Sequence, residues 1–251
     1  WLSKYVRRIG LVRKLRETRV LTGFSRLVPK TDRGDPAVQP LSAEAVGWLP
    51  AIEIRGEGIF IEFVEEELRT WAAKGPPVTR TAGLIQAYRA NRAVRKLSER
   101  RIDARFMMIH TIAHALIKEL TFTCGYGSAS LRERLYCNIE DPDSAMNGVL
   151  IYTASGDSEG TLGGLVAQAR PGQFERLFED ALRRSQWCSN DPVCIESPGQ
   201  GAGSFNLAAC HGCVLLPETS CEEGNRLLDR GLLCGTLAEA TTGFFCDVPL
   251  G

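Results

Sequence analysis

Five cysteines in one short segment constrain what this chain can fold into more than any other feature of its sequence. Cys188, Cys194, Cys210, Cys213 and Cys221 lie within 34 residues, whereas Cys124, Cys137, Cys234 and Cys246 are spread over the rest of the 251-residue chain. The first residues contain no signal peptide, so the cysteines indicate a reducing cytoplasm. There, clustered thiols bind metal or do redox work more often than they form structural disulfides.

The pair Cys210 and Cys213 forms a C-x-x-C motif, which occurs in three kinds of site. Haem attachment requires a histidine directly after the second cysteine, but His211 lies inside the pair. A thioredoxin-type dithiol would leave the three neighbouring cysteines without a role. Zn²⁺ takes four ligands in a tetrahedron, and a C-x-x-C turn supplies two of them. The cluster therefore predicts a zinc site; the alternative is that the thiols pack as small apolar groups.

Five cysteines are available for four ligand positions. The predicted set is Cys194, Cys210, Cys213 and Cys221, with Cys188 as a substitute or as a neighbour of the site. The segment from Thr219 to Glu222 has the pattern of a capping box, which predicts a helix that begins there. Cys221 would then lie in the first helical turn, where the helix dipole favours a thiolate.

The rest of the chain predicts a mixed α/β fold, with helices around a small sheet and a C-terminal zinc-knuckle lobe. The basic N-terminal segment is predicted as a helix to about residue 20. Residues 51–63 alternate on either side of Gly56-Glu57-Gly58, which predicts a β-hairpin. A predicted division places a helix and loop in residues 1–50, the α/β core in 51–186 and the cysteine-rich lobe in 187–251.

Three further elements are predicted inside the core. Residues 80–120 form one or two long helices, and the second half is apolar nearly all round, as in a helix buried in a domain. The apolar run 148–154 predicts a buried strand. A helix follows over about 161–186, which Pro171-Gly172 can divide in two.

Charge is unevenly distributed although the net charge is zero. Residues 1–30 contain nine Lys/Arg and one acid, a net of +8, and the remaining chain therefore carries −8. Residues 80–105 contain eight Lys/Arg and two acids. Such segments indicate either an anionic partner, most commonly nucleic acid, or a solvated helix face, and the two alternatives stay open.

Two other features of the sequence could form a functional site. His110 and His114 project from one helix face, but the sequence lacks the glutamate of an H-E-x-x-H zinc protease, so core histidines are the expected interpretation. The Gly-rich loop 155–164 could cradle a phosphate, yet it has neither Walker A nor G-x-G-x-x-G spacing. A tight turn is the expected interpretation of that loop. A hydrolase that uses His110 or His114 is therefore the weakest hypothesis.

Several long motifs carry a resemblance to a known family. They are "WCSNDPVCIES", "NLAACHGCVLLPETSCEEGNRLLDR", "HTIAHALI", "GYGSASLRERLY" and "LIYTASGDSEGTLGGL". Together they resemble the MrfA-like zinc-binding domain family. That domain ends certain DNA repair helicases and also occurs in separate proteins, one of them in the DISARM antiphage system (defence island system associated with restriction–modification). The family pattern implies Cys194, Cys210, Cys213 and Cys221 as zinc ligands, with Cys188 uncertain.

The resemblance implies a role beside a helicase. In DISARM the motor is a separate polypeptide, DrmA, and this sequence contains no Walker A or D-E-A-H motif. We therefore expect a non-catalytic zinc-binding subunit that binds a DrmA-like helicase and helps to hold DNA by its backbone phosphates. The alternative is the C-terminal domain of a single-chain repair helicase. The first residue is Trp and no apolar run is long enough to span a membrane, so a fragment of a longer cytoplasmic protein is expected.

Overall fold

The computed structural model describes residues 1–25, 38–44, 46–97, 99, 101–138, 145–153 and 164–250. Its strands are β1 (Val6–Val20), β2 (Ala51–Phe63), β3 (Leu131–Asn138) and β4 (Met146–Thr153). Its α-helices are α1 (Glu65–Ala72), α2 (Gly75–Val94), α3 (Ala104–Cys124), α4 (Gly164–Gln168), α5 (Gln173–Ser185) and α6 (Gly231–Cys234). Among these described helices, none combines the length and the apolar character that crossing a membrane would require.

The four strands form one antiparallel sheet in the order β1-β2-β4-β3. Alternate residues of the two central strands, such as Ile59, Ile61 and Ile151, are buried against the helices. The opposite face carries a small apolar cluster around Leu150 and Tyr152. The predicted mixed α/β fold with a small sheet is confirmed.

The helix α3 lies at the centre of the molecule. Between Phe106 and Leu120, every residue except Lys118 is buried. Strands β3 and β4 pack on one side of α3, and helices α1, α2, α5 and α6 pack around the rest. The Asp103 side chain caps the start of the helix by accepting a 3.1 Å hydrogen bond from the Phe106 N–H. The prediction of a buried central helix is confirmed.

The predicted N-terminal helix is wrong, because residues Val6–Val20 form the edge strand β1. The arginines, lysine and leucines of this segment favour a helix by intrinsic propensity. The long strand β2 overrides that preference, since its backbone pairs with β1 from Val6 opposite Phe63 to Val20 opposite Ala51. Pairing with a neighbour decided the conformation here, and local sequence did not.

The predicted hairpin within residues 51–63 is also wrong, because the segment is one continuous strand. Its glycines allow the neighbouring strand β4 to approach closely. A Cβ atom on Gly58 would lie 2.9 Å from Leu150 Cδ1, and one on Gly56 would lie 2.3 Å from Thr153 Oγ1. The glycines therefore serve close strand packing and do not form a turn.

Other predicted elements agree with the structure. Strand β4 occupies the predicted buried run, and helices α4 and α5 are separated at Pro171-Gly172 as expected. The largest hydrophobic core joins residues from Leu2 to Val248. The division of the chain at residues 50 and 186 stays a prediction.

A buried ion pair attaches the C-terminal lobe to α2. Two guanidinium nitrogens of Arg80, Nε and Nη2, donate to the Asp229 carboxylate at 2.7 and 2.9 Å. The Asp229 side chain is fully buried, and its Oδ1 also accepts from the N–H groups of Ala208 and Gly231. A charge removed from such a pair leaves its partner buried without compensation.

We therefore expect Asp229→Asn to destabilise the protein by about 3 kcal/mol, because the partly buried Arg80 guanidinium would lose its fully buried counter-ion. Urea unfolding would measure this change. Asp247→Asn is the matched control, since Asp247 pairs with Lys4 at 3.5 Å on the surface with a 75% exposed side chain. The control should change stability by less than about 1 kcal/mol. Equal effects of the two substitutions would contradict the role given to Asp229.

Candidate metal centre

Four cysteine thiols meet in the C-terminal lobe. The Sγ atoms of Cys188, Cys194, Cys210 and Cys213 all lie within 4.8 Å of one another. The Sγ–Sγ distances are 3.4 Å for Cys188 and Cys210, 3.8 Å for Cys194 and Cys213, and 3.7 Å for Cys210 and Cys213. With Zn–S bonds of about 2.3 Å, a tetrahedral site places its sulfurs about 3.8 Å apart. The four thiols therefore fit a Zn²⁺ ion.

Two short turns bring these thiols together. The Cys213 N–H donates to the Cys210 carbonyl at 3.1 Å, which closes the C-x-x-C turn. In the other turn, the Asp191 carboxylate accepts from the N–H groups of Cys188 at 2.9 Å and Ile195 at 3.1 Å. The same carboxylate accepts a hydrogen bond from the buried guanidinium of Arg230. A charged network thus holds the turn that carries Cys188 and Cys194.

Hydrogen-bond donors are directed at the sulfur atoms. The Asn190 side-chain amide donates to Cys210 Sγ at 3.3 Å, and the Cys210 N–H donates to Cys213 Sγ at 3.1 Å. Burial opposes ionisation of Cys210, but the hydrogen bonds from Asn190 and from the Cys188 thiol lower its pKa to about 7. Burial raises the pKa of Cys194 and of Cys213. Without a cation, ionising all four buried thiols would therefore be unfavourable. A bound metal ion makes the ionised, thiolate form of the cysteines the favoured one.

The central helix also contacts the C-x-x-C turn. Lys118 of α3 donates through Nζ to the His211 carbonyl at 3.2 Å and to the Cys213 carbonyl. Partial burial lowers the pKa of Lys118. The His211 side chain is itself exposed and belongs to neither group of candidate ligands.

The structure groups the five cysteines differently from the predicted set. It brings Cys188 together with Cys194, Cys210 and Cys213, and it places Cys221 in a separate group. The capping box expected from Thr219 is absent, because Cys221 has an extended backbone with φ −102° and ψ 129°. The Glu222 carboxylate instead accepts from the Leu135 N–H at 2.8 Å at the edge of the sheet. The helix predicted from Cys221 onward is wrong, because Gly224, Asn225 and Leu227 have positive φ, which interrupts a helix.

Cys221 lies beside both histidines of α3. His110 Nε2 is 3.2 Å from Cys221 Sγ and 2.9 Å from Glu133 Oε1, and His114 Nε2 is 3.4 Å from the same carboxylate oxygen. The His110, His114 and Glu133 side chains are fully buried. The expectation of buried core histidines with polar neighbours agrees with this arrangement.

Glu133 was not among the sequence-based candidates. It lies on β3, more than 80 residues from Cys221, so no local spacing connects the two. The available signal was the position of Glu133 in an alternating strand, where the structure shows it facing inward while Arg134 is exposed. A glutamate at an inward position of a strand requires a buried partner.

Residues 112–214 match the model of the MrfA Zn-binding domain family. This range includes all four thiols of the cluster at Cys188–Cys213, whose geometry fits zinc. The chain therefore belongs to the class of proteins that carry an MrfA Zn-binding domain, and its cofactor is Zn²⁺. It is also similar to the DISARM protein DrmB of Bacillus paralicheniformis, with 39% identity over 246 residues. The alignment covers 96% of this chain but only 43% of that protein, so the chain spans less than half the length of this relative.

The Gly-rich loop that was considered as a phosphate site falls outside the described residues, except for Gly164 at the start of α4. The buried Glu57 carboxylate accepts from the Leu165 N–H at 2.7 Å, so a side chain of this protein occupies the N-terminal end of that helix.

We expect Cys188→Ser to lower the zinc content by at least one ion per chain, because a hydroxyl is a far weaker zinc ligand than a thiolate. Metal analysis of the purified protein would measure this, and hydrogen exchange should increase in the turns around residues 188–213. Cys246→Ser is the matched control, since Cys246 is exposed and lies outside both groups of candidate ligands. Full retention of zinc in Cys188→Ser would show that this thiol is not a ligand.

Proposed function

We propose that this chain is a non-catalytic zinc-binding part of a DISARM-type antiphage system in the cytoplasm, where it binds a DrmA-like helicase and helps to engage DNA. The observation that carries the proposal is the 39% identity to the DISARM protein DrmB over nearly the whole chain. The match to the MrfA Zn-binding domain supports the zinc-binding part of this role.

The zinc ligands in this proposal are Cys188, Cys194, Cys210 and Cys213. Four protein thiolates fill a tetrahedral zinc site completely and leave no position for a substrate or an activated water. The ion is therefore structural, and it holds together two turns that have little regular secondary structure. Cys221, which was included in the set expected from the sequence, is replaced by Cys188 in the proposed set because its sulfur belongs to a separate group.

A zinc-binding domain at the end of a single-chain DNA repair helicase is the second candidate. The match to the MrfA Zn-binding domain favours it equally. The complete gene separates the two candidates, because helicase motifs on the same polypeptide would exclude a subunit that acts with a separate motor. Co-purification with a helicase encoded by a neighbouring gene would support the DISARM assignment.

The hydrolase hypothesis loses its main support in this geometry. A catalytic base must reach its substrate directly or through one water molecule. His110 and His114 are fully buried in α3 and face Glu133 and Cys221, so neither ring meets solvent. We therefore assign the two histidines no role in hydrolysis.

The ribbon formed by β1 and β2 is the surface that we propose for DNA. Seven Lys/Arg and four Glu give this ribbon a net charge of +3. Several of its arginines already pair with acids: Arg7 and Arg8 with Glu62, and Arg16 with Glu53. Arg13 and Lys14 are exposed at a β-bulge, where the register shifts between Val12 and Leu15. These two side chains are the best placed of the ribbon's cations to contact phosphates.

The second basic segment, residues 80–105, contributes less to a DNA-binding surface than its net charge suggests. Arg80 forms an ion pair with Asp229, and Arg92 is buried beside the Tyr88 ring. A continuous phosphate track along α2 is therefore not part of the proposal.

We expect the double charge reversal Arg13→Glu with Lys14→Glu to weaken DNA binding by the helicase complex at low salt. The slope of log K against log salt should become shallower by about two, because two phosphate contacts are lost. A binding titration at several salt concentrations would measure both quantities. Little dependence on DNA sequence is expected, since phosphates carry no sequence information.

Arg170→Glu with Arg176→Glu is the matched control, because it makes the same change in charge at exposed positions outside the two basic segments. Its salt slope should equal that of the unmodified protein. If the reversal at residues 13 and 14 breaks the helicase complex but leaves DNA affinity of the assembled pair unchanged, the ribbon is a protein interface and the DNA assignment is wrong.

A further inference from the structure

A second group of donor atoms converges in the interior, apart from the four clustered thiols. It consists of one imidazole nitrogen from each of His110 and His114, a carboxylate oxygen of Glu133 and the sulfur of Cys221, all within 4.8 Å of one another. The four residues come from α3, from β3 and from the segment after the 3-10 turn Glu218–Ser220. Each of the four is buried.

The tautomer of His114 is determined by a backbone contact. Its Nδ1 lies 2.8 Å from the Val214 carbonyl oxygen, which can only accept, so Nδ1 carries a proton and donates. In a neutral ring, Nε2 then holds a lone pair directed into the group. A hydrogen bond from the distal nitrogen to a carbonyl is the usual support of a metal-binding histidine, because it orients the ring and increases its basicity.

The other donors also present lone pairs. The Asn225 N–H donates to Cys221 Sγ at 3.1 Å, and the Glu222 N–H donates to Glu133 Oε1 at 3.2 Å. Both contacts stabilise the ionised form of the group that accepts them. A thiolate, a carboxylate and an imidazole lone pair therefore face one another in a region that excludes water, and such an arrangement requires positive charge between them.

Protons on the two imidazoles could supply that charge, but they leave the polar atoms poorly paired. Beyond the 3.4 Å contact of His114 Nε2 with Glu133 Oε1, three atoms of the group, His110 Nδ1, His114 Nε2 and Glu133 Oε2, are buried without a well-aligned hydrogen bond. Buried polar atoms are nearly always satisfied, so three such atoms in one small group require an explanation. A cation bound by the imidazoles, the carboxylate and the thiolate gives His114 Nε2 the partner that it lacks.

We propose that His110, His114, Glu133 and Cys221 bind a second Zn²⁺ ion. Zinc accepts this mixture of nitrogen, oxygen and sulfur ligands, at about 2.0–2.1 Å for nitrogen and 2.3 Å for sulfur. In such a tetrahedron, neighbouring nitrogen and oxygen ligands lie about 3.3 Å apart, and a nitrogen and a sulfur about 3.6 Å apart. The N···O separations of 2.9 and 3.4 Å and the N···S separation of 3.2 Å each differ from these values by a few tenths of an ångström.

The second ion is structural. All four positions are filled by the protein and none is open to solvent, whereas a catalytic zinc keeps a position for water or substrate. The ion joins the central helix and the sheet to the C-terminal lobe, which the four-thiol site does not do. The assignment rests only on these donor atoms, so it is independent of a role in DISARM or of any contact with DNA.

Metal analysis and zinc X-ray absorption on the purified full-length protein test the proposal without any substitution. We expect two zinc ions per MrfA-type domain, with a combined ligand set of five sulfurs, two imidazole nitrogens and one carboxylate oxygen. The absorption spectrum should then contain a nitrogen and oxygen shell at about 2.0–2.1 Å beside the sulfur shell at about 2.3 Å. One zinc per domain with sulfur ligands alone would overturn the proposal.

Substitutions assign the nitrogen and oxygen shell to this group. Glu133→Gln keeps the size of the side chain, and His114→Ala removes one imidazole; each should reduce zinc by about one ion per domain and diminish that shell. Cys246→Ser should keep both ions and both shells. Two zinc ions that persist in Glu133→Gln and in His114→Ala, with an unchanged nitrogen and oxygen shell, would place the second metal elsewhere and refute the assignment.

Discussion

The burial of α3 from Phe106 to Leu120, with Lys118 the one exception, is the constraint on which the rest of the structure depends. A helix surrounded on all sides cannot expose its polar side chains to water, so each must find a partner inside the protein. The polar residues on one side of α3 are His110, Thr111, His114 and Lys118. All four contact the C-terminal lobe: Cys221, the Asp229 N–H, the Val214 carbonyl and the Cys213 carbonyl, in that order. The lobe is therefore positioned by the polar stripe of the helix that it covers.

The lobe itself has little regular secondary structure to stabilise it. From residue 187 onward, the described chain contains one four-residue helix, a few 3-10 turns and one isolated β-bridge. Buried charges supply some of the missing cross-links, since Asp229 pairs with Arg80 and Asp191 with Arg230. Metal ligation adds a further cross-link, because one ion binds thiolates from segments that are distant in sequence. Without the cation, burying these thiolates would be unfavourable. Ion pairs and metal binding, rather than regular secondary structure, therefore stabilise this lobe.

Elements that are buried because of their own hydrophobicity were predicted correctly from the sequence, whereas segments whose conformation depends on distant partners were not. The buried helix around residues 106–120 and the buried strand β4 follow from their own hydrophobicity. The strand β1 and the uninterrupted strand β2 depend on each other, and neither segment alone reveals the pairing. In the same way, the cysteine spacing predicted a zinc site, but it could not separate Cys221 from the other thiols. That separation depends on β3, whose edge holds Glu222 and whose inward residue Glu133 lies beside Cys221 and the histidines.

The two groups of donor atoms are connected through a short path of covalent and hydrogen bonds. Val214 directly follows Cys213 of the four-thiol cluster, and its carbonyl accepts from His114 Nδ1 of the second group. Zinc at the cluster would fix the backbone at Cys213 and, with it, the carbonyl that orients the His114 ring. A disordered C-x-x-C turn would release that ring and remove the lone pair that Nε2 presents to Glu133. Such a coupling is reciprocal, so order at the second group would in turn favour order at the thiol cluster. The central helix contacts this turn at a second point, since Lys118 donates to the His211 and Cys213 carbonyls. The backbone of the C-x-x-C turn therefore links the four-thiol cluster to α3 and, through His114, to the second group.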